Sequence, residues 1–275
     1  MLPEMLEGLK KSGFAIHTFL EHPAEDIPSL KTTSSKKKWR LNGEIKNIIN
    51  GKEADFLFIV CKNYEREIAV DSICMLAVDK KSPGVIIGKK DSLLGLRMNG
   101  MSSFQFENVE INASDFIGKP GQGYTQLYKT QPAFLLIVAT LALGTAQGAF
   151  ERALNHVKGR EQFGKKIANF QVIRHKLADM AIQIEQVRCL TYEAAKIADL
   201  SKKNSKIITM ANLAATSTAV NISYEAIQLL GGYGYTNEYD VERCYRDAKT
   251  LQLLSGHKHN LLDQISTETI GKLKN

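Results

Sequence analysis

Hydrophobic residues in the first 119 positions fall in short runs that either alternate with polar residues or are uniformly apolar. Turn-forming residues separate the runs. Six runs predict β-strands: FAIHTFL, KWRLNG, FLFIVCK, SICMLAVD, GVIIG and SFQFENVEI. The dipeptides Asn42-Gly43 and Asn50-Gly51 are typical of turns. The pattern therefore predicts a small β-domain, a barrel or a sandwich, over residues 1–119.

From residue 120 onward the pattern changes to the helical period. The Gly- and Pro-containing stretch IGKPGQGY (117–124) marks the boundary. Apolar residues then recur at spacings of three and four, as in Ile173, Leu177, Met180, Ile184 and Val187. Helices are predicted over 122–157, 171–200, 205–230, 238–254 and 258–270. The expected fold is α+β, a β-domain followed by a C-terminal four-helix bundle over residues 120–275.

The predicted helix over 205–230 differs from the others in composition. It is rich in Ala, Thr and Ile and nearly uncharged, which is typical of a helix buried on several sides. One bundle alone is not expected to bury so apolar a helix on every side, so the sequence predicts an oligomer.

Composition and charge are typical of a globular protein that does not bind nucleic acid. The 275 residues are 44% hydrophobic, enough for a substantial core, and the net charge is +7. The excess positive charge lies largely in two short lysine runs, 36–38 and 202–203, which are typical of a solvated face. No basic stripe interleaved with aromatic residues is present, so no nucleic-acid partner is expected.

The four cysteines give no metal or disulfide pattern. Cys61, Cys74, Cys189 and Cys244 are widely spaced, without CxxC or Cys/His zinc spacing. Reduced cysteines indicate a cytoplasmic protein, or one of the mitochondrial matrix in a eukaryote. No apolar run of roughly 20 residues is apparent, so no membrane span is expected. The first residues, MLPEMLEGLKKSG, lack the apolar core of a signal peptide and carry acids, so no signal or transit peptide is expected.

Three stretches of the helical half carry candidate chemistry. In GREQFGKKIANFQ (159–171), Arg160 offers a forked donor suited to phosphate and Phe163 offers an apolar edge. In QLLGGYGYTNEY (228–239), three glycines fall within four residues, more than a helix end requires. Such a turn lets a backbone approach a flat group closely and exposes N–H donors. The third stretch is RDAK (246–249).

In this order and at these spacings the three stretches resemble the acyl-CoA dehydrogenase family. The family pattern is R-x-x-F-G-x-x-I/L-x-x-x-Q, about 60 residues of helix, Q-x-x-G-G-x-G-[YF] and R-D-A-K. It is matched by Arg160, Phe163, Gly164, Ile167, Gln171, Gln228, Gly231, Gly232, Gly234, Tyr235, Arg246, Asp247, Ala248 and Lys249. LPEMLEG, PSLKTT, WRLNG and FQFENVEI also resemble family segments, so the likeness covers nearly the whole chain.

The resemblance implies an FAD-dependent oxidoreductase of fatty-acid β-oxidation. Such flavoproteins remove the α and β hydrogens of an acyl-CoA thioester and pass electrons to an electron-transfer flavoprotein. A glutamate takes the α-proton and flavin N5 accepts the β-hydride. By match, contacts to the adenosine and pyrophosphate of FAD in a neighbouring subunit fall to Arg160, Phe163, Gln228, Gly231 and Gly232.

The departures from the family pattern fall on the reacting groups. Ser255 stands where most members carry the glutamate base, six residues after RDAK, and a serine hydroxyl is no base near neutral pH. His257 or His259 is a possible substitute, because imidazole titrates near neutrality. Other members carry an acid and an arginine on the first bundle helix. Phe134 and Leu135, or Gln131 in place of the arginine in another register, occupy those positions here.

The β-domain departs as well. Residues 47–51, Asn-Ile-Ile-Asn-Gly, replace the W-I-[TS]-N-G that lines the flavin, and FLEHPAED (19–26) replaces [TS]-E-P-x-x-G-S-D. The N-terminal helical domain of the family is expected to be missing. Without that domain, the surface that it would cover is exposed. We therefore expect a homo- or hetero-oligomer in which another chain covers this surface: a self-copy, a full-length relative or a separately encoded helical domain.

Three functional interpretations follow. The chain is a flavoprotein subunit that needs a partner, a divergent dehydrogenase with a relocated base, or a catalytically inactive homologue with a structural or assembly role. The motifs at the FAD end survive while the chemical ones are lost, and this pattern favours the first interpretation.

Overall fold

A computed structural model describes residues 2–15, 27–32, 38–63, 72–200 and 205–271. Most of FAIHTFL, all of FLEHPAED and the pair Lys202-Lys203 lie outside these ranges. The chain divides into two compact units, residues 1–130 and 131–275.

The first unit is built on a mixed seven-stranded sheet. A short helix, α1 (Leu2–Leu6), precedes it. The strands are β1 (Ser12–Phe14), β2 (Ser29–Thr32), β3 (Trp39–Ile49), β4 (Phe56–Asn63), β5 (Ile73–Asp79), β6 (Val85–Lys90) and β7 (Met101–Ile111). Both β1 and β2 pair with β3 and with β4, at opposite ends, so these two short strands share one position in the sheet. The order across the sheet is therefore β5, β4, β1 with β2, β3, β7 and β6.

The core of this unit comes from the apolar residues of the predicted strands. Phe104, Phe106, Leu41 and Leu57 are among its largest fully buried side chains. Each predicted run in the described ranges forms a strand, because alternation places one set of side chains on the buried face.

The predicted turn at Asn42-Gly43 is wrong. Strand β3 continues through these residues, and the ladder with β7 shifts register between Leu41 and Gly43. The φ angle of Gly43 is 121°, and the Asn42 side-chain oxygen accepts the backbone N–H of Asn108 at 2.8 Å. The dipeptide therefore forms a bulge, which uses the same residue types as a turn. Asn50-Gly51 does form a turn.

The second unit is helical. Its helices are α2 (Gly123–Gly159, which begins in the first unit), α3 (Gln171–Leu200), α4 (Ser205–Leu230), α5 (Val241–Leu254) and α6 (Lys258–Ile270). The predicted helices begin and end within about three residues of these bounds. Helix α4 packs against α3, α5 and α6. Two short linking segments, a hairpin after α2 and a 3₁₀ turn after α4, carry the motifs singled out above.

Burial of α4 revises the argument for an oligomer. A row of alanines on this helix, Ala211, Ala215, Ala219 and Ala226, is completely buried within the chain. Its exposed positions include Ser217, Asn221 and Gln228, which are polar. Neighbouring helices of the same chain thus bury the apolar face of α4. The apolar composition of 205–230 is therefore no evidence, by itself, for a partner chain.

Helix α2 contains an apolar stretch that is longer than the sequence analysis expected. Among the described residues it is the one helix whose length and composition would allow it to cross a bilayer, with a mean hydropathy of 1.8 over its most apolar window. Core helices of folded proteins satisfy the same criterion, and 44% of that window is buried. Length and composition alone therefore do not assign it to a membrane.

Candidate functional site

A tight hairpin follows α2 and presents the first motif. Strands β8 (Glu161–Gln162) and β9 (Lys165–Lys166) pair antiparallel across the two-residue turn Phe163-Gly164. Both turn residues have positive φ, 53° and 75°, as a type I′ turn requires. Gly164 suits this conformation, whereas a bulky aromatic residue adopts it rarely.

Phe163 combines this unfavourable backbone with an exposed ring. Its side chain is 92% exposed, and its ring contacts Phe170 edge-on at 6.3 Å between centroids. Strained residues that are held in place by their surroundings are concentrated at functional sites. The hairpin therefore displays an aromatic ring that the chain itself does not bury.

The three glycines of the second motif have three different explanations. Helix α4 ends at Leu230 and a 3₁₀ turn runs over Gly231–Tyr235. Gly231 has φ +60°, and a Cβ on Gly234 would lie 2.5 Å from the Ile227 carbonyl oxygen. Gly232 has neither a positive φ nor any neighbour within 4 Å of a Cβ. The chain itself does not require glycine at 232, so the open space there is available to a group from outside.

The structure brings the hairpin and the glycine turn together. The guanidinium of Arg160 lies 5.7 Å from the ring centre of Tyr233, a cation–π contact. Two hydrogen bonds fix the backbone of Arg160: its N–H donates to the His156 carbonyl, and its carbonyl accepts the Ile167 N–H, both at 2.9 Å. Two motifs about 70 residues apart thus form one surface at the same end of the bundle.

An aromatic cluster supports this surface. The Tyr233 ring lies 5.1 Å from that of Tyr239 and 6.1 Å from the imidazole of His156, measured between centroids. Sequence reasoning missed all three as site residues. A signal existed for two of them, because His156 precedes Arg160 by one helical turn and Tyr233 lies between the glycines.

The electrostatics of the surface favour an anion. Among the described residues no carboxylate forms an ion pair with Arg160, which leaves its guanidinium face toward solvent. Partial burial, and then the nearby positive charge of Arg160, lower the pKa of His156. His156 therefore stays neutral beside Arg160 at neutral pH.

Beside this surface lies an open pocket of about 430 Å³. Its walls come from α2 and from residues 238–241, and include Arg152, His156, Tyr239 and Asp240. Arg152 is engaged there, because it forms an ion pair with Asp240 at 3.3 Å and donates to the Gly148 carbonyl. Gln228 is exposed on the last turn of α4, just before the glycines. All five residues predicted to contact the cofactor therefore belong to the hairpin or to the α4 end and its turn.

The RDAK segment has a structural role in this chain. Arg246 forms a two-pronged ion pair with Glu242, one turn earlier on α5, at 2.5 and 3.1 Å. This hydrogen bonding raises the pKa of Arg246. Ala248 is completely buried, and Lys249 donates to Gln252 at 2.9 Å. These contacts stabilise α5.

Ser255, in the position of the usual base, is part of the packing. Only 2% of its surface is exposed, and its hydroxyl donates to the Leu251 carbonyl at 3.3 Å. It ends α5, and Gly256 follows with φ 84°. His257, the suggested substitute, is exposed at the start of α6. The Ser255 hydroxyl is thus engaged with its own helix.

The alternative position for a base on α2 is equally apolar. Leu135 is 1% exposed and its carbonyl accepts the Asn212 amide at 2.9 Å, while Phe134 and Gln131 are half-buried. In the first unit, Ile48 and Ile49 of the 47–51 segment are buried in the sheet core. These positions supply no carboxylate and no hydroxyl group.

Two family models match the chain. The acyl-CoA dehydrogenase C-terminal domain matches residues 125–269 and the acyl-CoA dehydrogenase middle domain matches residues 23–109. The chain belongs to the acyl-CoA dehydrogenase family. The resemblance inferred from the motifs and the α+β architecture are thereby confirmed. Members of this family are FAD-dependent flavoprotein oxidoreductases.

Similar proteins share most of this chain. An acyl-CoA dehydrogenase of Bacillus subtilis (strain 168) is 36% identical over 257 residues, which cover 93% of this chain and 67% of the relative. The mitochondrial short-chain specific acyl-CoA dehydrogenase of Homo sapiens is 38% identical over 233 residues, covering 84% and 56%. The chain thus spans about half to two thirds of the length of these relatives.

Solved structures show the same fold. Butyryl-CoA dehydrogenase from Megasphaera elsdenii superposes with a TM-score of 0.91 at 30% identity, covering 98% of this chain and 71% of its own. A chain from a structure of the electron transferring flavoprotein of Acidaminococcus fermentans gives a TM-score of 0.91 at 31% identity, with the same coverage.

Proposed function

We propose that this chain is an FAD-binding subunit of an acyl-CoA-oxidising flavoprotein. Its helical unit supplies the surface for the adenosine and pyrophosphate of FAD, and a partner chain supplies the remainder of the site. The observation that carries this proposal is the contact of Arg160 with Tyr233, which joins the hairpin and the glycine turn into one surface.

The residues of this surface fit the adenosine diphosphate part of the cofactor. Arg160 offers the pyrophosphate a forked guanidinium that pairs with no carboxylate in the part of the chain that the structure describes. Gly231 and Gly232 leave bare backbone beside open space, which admits a flat group closely. The exposed ring of Phe163 offers a flat apolar wall. An exposed, strained aromatic residue and a glycine that packing does not require are both explained by an external ligand.

The chemistry of the reaction divides between cofactor and protein. Bound FAD supplies the acceptor for the β-hydride of the acyl-CoA thioester. The α-proton needs a base, and a missing general base costs roughly 10²–10⁴ in rate. Because the Ser255 hydroxyl is occupied by a helix carbonyl, the proton acceptor comes from a partner chain. If this chain supplied the proton acceptor itself, His257 would be the residue to do so.

Substrate and electron acceptor are inferred from the relatives. The human relative is named a short-chain specific acyl-CoA dehydrogenase, and the Megasphaera structure is of butyryl-CoA dehydrogenase. We therefore propose a short acyl-CoA thioester as substrate. An electron-transfer flavoprotein is the proposed acceptor, in line with the Acidaminococcus structure. The complex is a homo- or hetero-oligomer with another acyl-CoA dehydrogenase-like chain.

The second candidate function is that of a catalytically inactive structural or assembly subunit. Burial of Ser255 favours it, as does the apolar Phe134 at the position that the resemblance assigns to the acid on α2, because neither position supplies a base. Such a subunit would retain the FAD surface to stabilise a partner and would carry out no proton removal itself.

Visible spectroscopy separates these functions. The chain is purified alone and after co-expression with a full-length acyl-CoA dehydrogenase, and each sample is mixed anaerobically with butyryl-CoA. Flavin in the complex beyond that held by the full-length partner purified alone, and bleached by butyryl-CoA, supports the proposal. Extra flavin that butyryl-CoA does not bleach indicates the inactive subunit. A yellow chain that is bleached by butyryl-CoA without any partner indicates a self-sufficient dehydrogenase, with His257 as the first residue to mutate. No flavin beyond the partner's own in any sample contradicts every FAD-dependent function of this chain.

A further inference from the structure

Two thiols that the proposed function does not use face each other in the first unit. Cys61 on β4 and Cys74 on β5 are direct partners in the antiparallel register, and both are completely buried. Directly opposed residues have Cβ atoms about 4.5–5.5 Å apart, and a disulfide needs about 3.5–4.5 Å. Closing the pair into a disulfide therefore requires an approach of only about 1 Å.

The two sulfur atoms have different surroundings. The backbone N–H of Gly121 donates to Cys74 Sγ at 3.3 Å. Burial, and then a hydrogen bond with Cys74, raise the pKa of the Cys61 thiol. The Cys74 thiol also donates to the Ser72 carbonyl at 4.0 Å. Once that proton has left, the Gly121 N–H still stabilises the Cys74 thiolate. Cys74 is therefore the nucleophile of the pair and Cys61 the resolving thiol.

Access comes from the position of β5 in the sheet. Within the described ranges the strand that β5 pairs with along its length is β4. Its other side meets residues 116–121 through the bridge between Leu76 and Phe116, the hydrogen bond from Ile117 to Met75 and the Gly121 donor. An edge strand opens more readily than a central one because fewer hydrogen bonds are broken. Opening of β5 separates it from β4 and exposes both sulfur atoms at once.

We propose that Cys61 and Cys74 are a modification site, at which a low-molecular-weight disulfide such as oxidised glutathione forms a reversible cross-strand disulfide. The Cys74 thiolate attacks one glutathione sulfur, which gives a mixed disulfide and releases one glutathione thiolate. The Cys61 thiolate then attacks Cys74 Sγ and releases the second. Two protein thiols are oxidised, one oxidised glutathione is reduced to two thiols, and the protons pass to solvent.

The disulfide would fasten the edge of the sheet. It closes the loop 61–74 covalently, which removes conformations from the opened and unfolded chain. The amides of β5 then exchange with solvent only through rarer openings. From the length of this loop we expect exchange of the β5 amides to slow by about 10–100-fold. This inference is independent of FAD and of any partner chain.

The test uses the full chain with Cys189, the exposed thiol, changed to serine to prevent links between molecules. The Cys189→Ser protein is equilibrated in a series of reduced and oxidised glutathione mixtures, denatured with acid, alkylated and measured by mass spectrometry. Relative to the alkylated reduced protein, we expect the mass to fall by two alkyl groups because Cys61 and Cys74 no longer react. We also expect a peptide pair that joins Cys61 to Cys74, and full reversal by dithiothreitol. Hydrogen exchange of the oxidised form reports the slowing in β5.

Two variants and an internal control sharpen the result. In the same background, Cys61→Ser should retain a glutathione adduct on Cys74, because the resolving thiol is gone, and Cys74→Ser should react far more slowly. Cys244, which is buried without a cysteine partner, should remain reduced throughout. If the variants do not fold, the mass and peptide measurements on the Cys189→Ser protein are sufficient to test the proposal. Both thiols still alkylated after oxidation, or a linkage of either to Cys244, overturns the inference.

Discussion

Two regions of the helical unit have the same family ancestry and have come to differ. The surface of Arg160, Phe163 and the 231–235 turn keeps features that the chain's own packing does not need. The end of α5 at Ser255 has been absorbed into packing, with its hydroxyl bonded to a helix carbonyl and 2% exposure. Exposed features that packing does not require are the basis for proposing an external ligand. Burial of Ser255, at the position that the resemblance assigns to the base, is the basis for proposing that the proton acceptor lies elsewhere.

The glycine turn allows the two kinds of constraint to be compared directly. Gly234→Ala places a Cβ 2.5 Å from the Ile227 carbonyl, so we expect it to destabilise the unit by about 1–3 kcal/mol. Gly232→Ala meets no atom within 4 Å and should leave stability within about 0.5 kcal/mol of the wild type. Urea unfolding followed by circular dichroism measures both. Equal losses of unfolding free energy in the two variants would contradict the claim that packing requires glycine at 234 and not at 232.

Arg160 should contribute most to cofactor affinity. A charge-assisted hydrogen bond contributes about 1.5–3 kcal/mol, so Arg160→Ala should weaken FAD binding about 10–100-fold in the complex with the partner. Arg160→Lys should recover only part of this, because the fork is lost. Flavin fluorescence titration provides the measurement. Lys158→Ala, which removes an exposed cation two residues away, is the matched control and should change little.

Tyr233 should act through Arg160. An exposed cation–π contact contributes about 0.5–1 kcal/mol, so Tyr233→Leu should weaken FAD binding about two- to fivefold. Tyr233→Phe keeps the ring and should bind FAD as the wild type does. A readout free of the cofactor is the ¹⁵Nε relaxation of Arg160, which should show a more mobile guanidinium in Tyr233→Leu alone. Unchanged relaxation would mean that the contact does not hold Arg160.

Ser255 should matter to stability and not to catalysis. Its hydrogen bond to Leu251 predicts a loss of about 0.5–1.5 kcal/mol for Ser255→Ala. Any flavin reduction by acyl-CoA in the complex should proceed at the wild-type rate. Stopped-flow spectroscopy of the anaerobic complex tests this, and a large fall in rate with unchanged stability would restore Ser255 to the reacting group.

His156 gives the smallest effect, and a pH-dependent one. Its pKa is lowered in the folded chain by burial and by Arg160, so the unfolded chain binds more protons in acid. Its contribution to stability is present above the ordinary histidine pKa of about 6.5 and is lost as the pH falls through the lowered value. Replacement by glutamine should flatten the acid side of the curve of unfolding free energy against pH. An unchanged curve would contradict the assignment.

The sequence predicted elements well where one local signal determined them. For example, a steady 3.6-residue period and the glycines that follow Leu230 mark the end of α4 at that residue. The turn predicted at Asn42-Gly43 was wrong because a β-bulge and a turn use the same residue types. Only the pairing of β3 with β7 distinguishes the two structures. The contact of Arg160 with Tyr233 was not predictable, since it depends on how α2 and α4 pack. Family motifs predict the FAD residues, and that prediction stands to be tested, whereas only the structure shows that Gly234 is required by packing and Gly232 is not.

The central claim is that this surface recognises the adenosine diphosphate part of FAD. Competition in the complex with the partner tests it most directly, by displacement of FAD followed through flavin fluorescence. The account predicts that ADP displaces FAD, that riboflavin does not, and that Arg160→Ala weakens binding of ADP as much as that of FAD. Displacement by riboflavin and none by ADP, or ADP binding that is indifferent to Arg160, would contradict it.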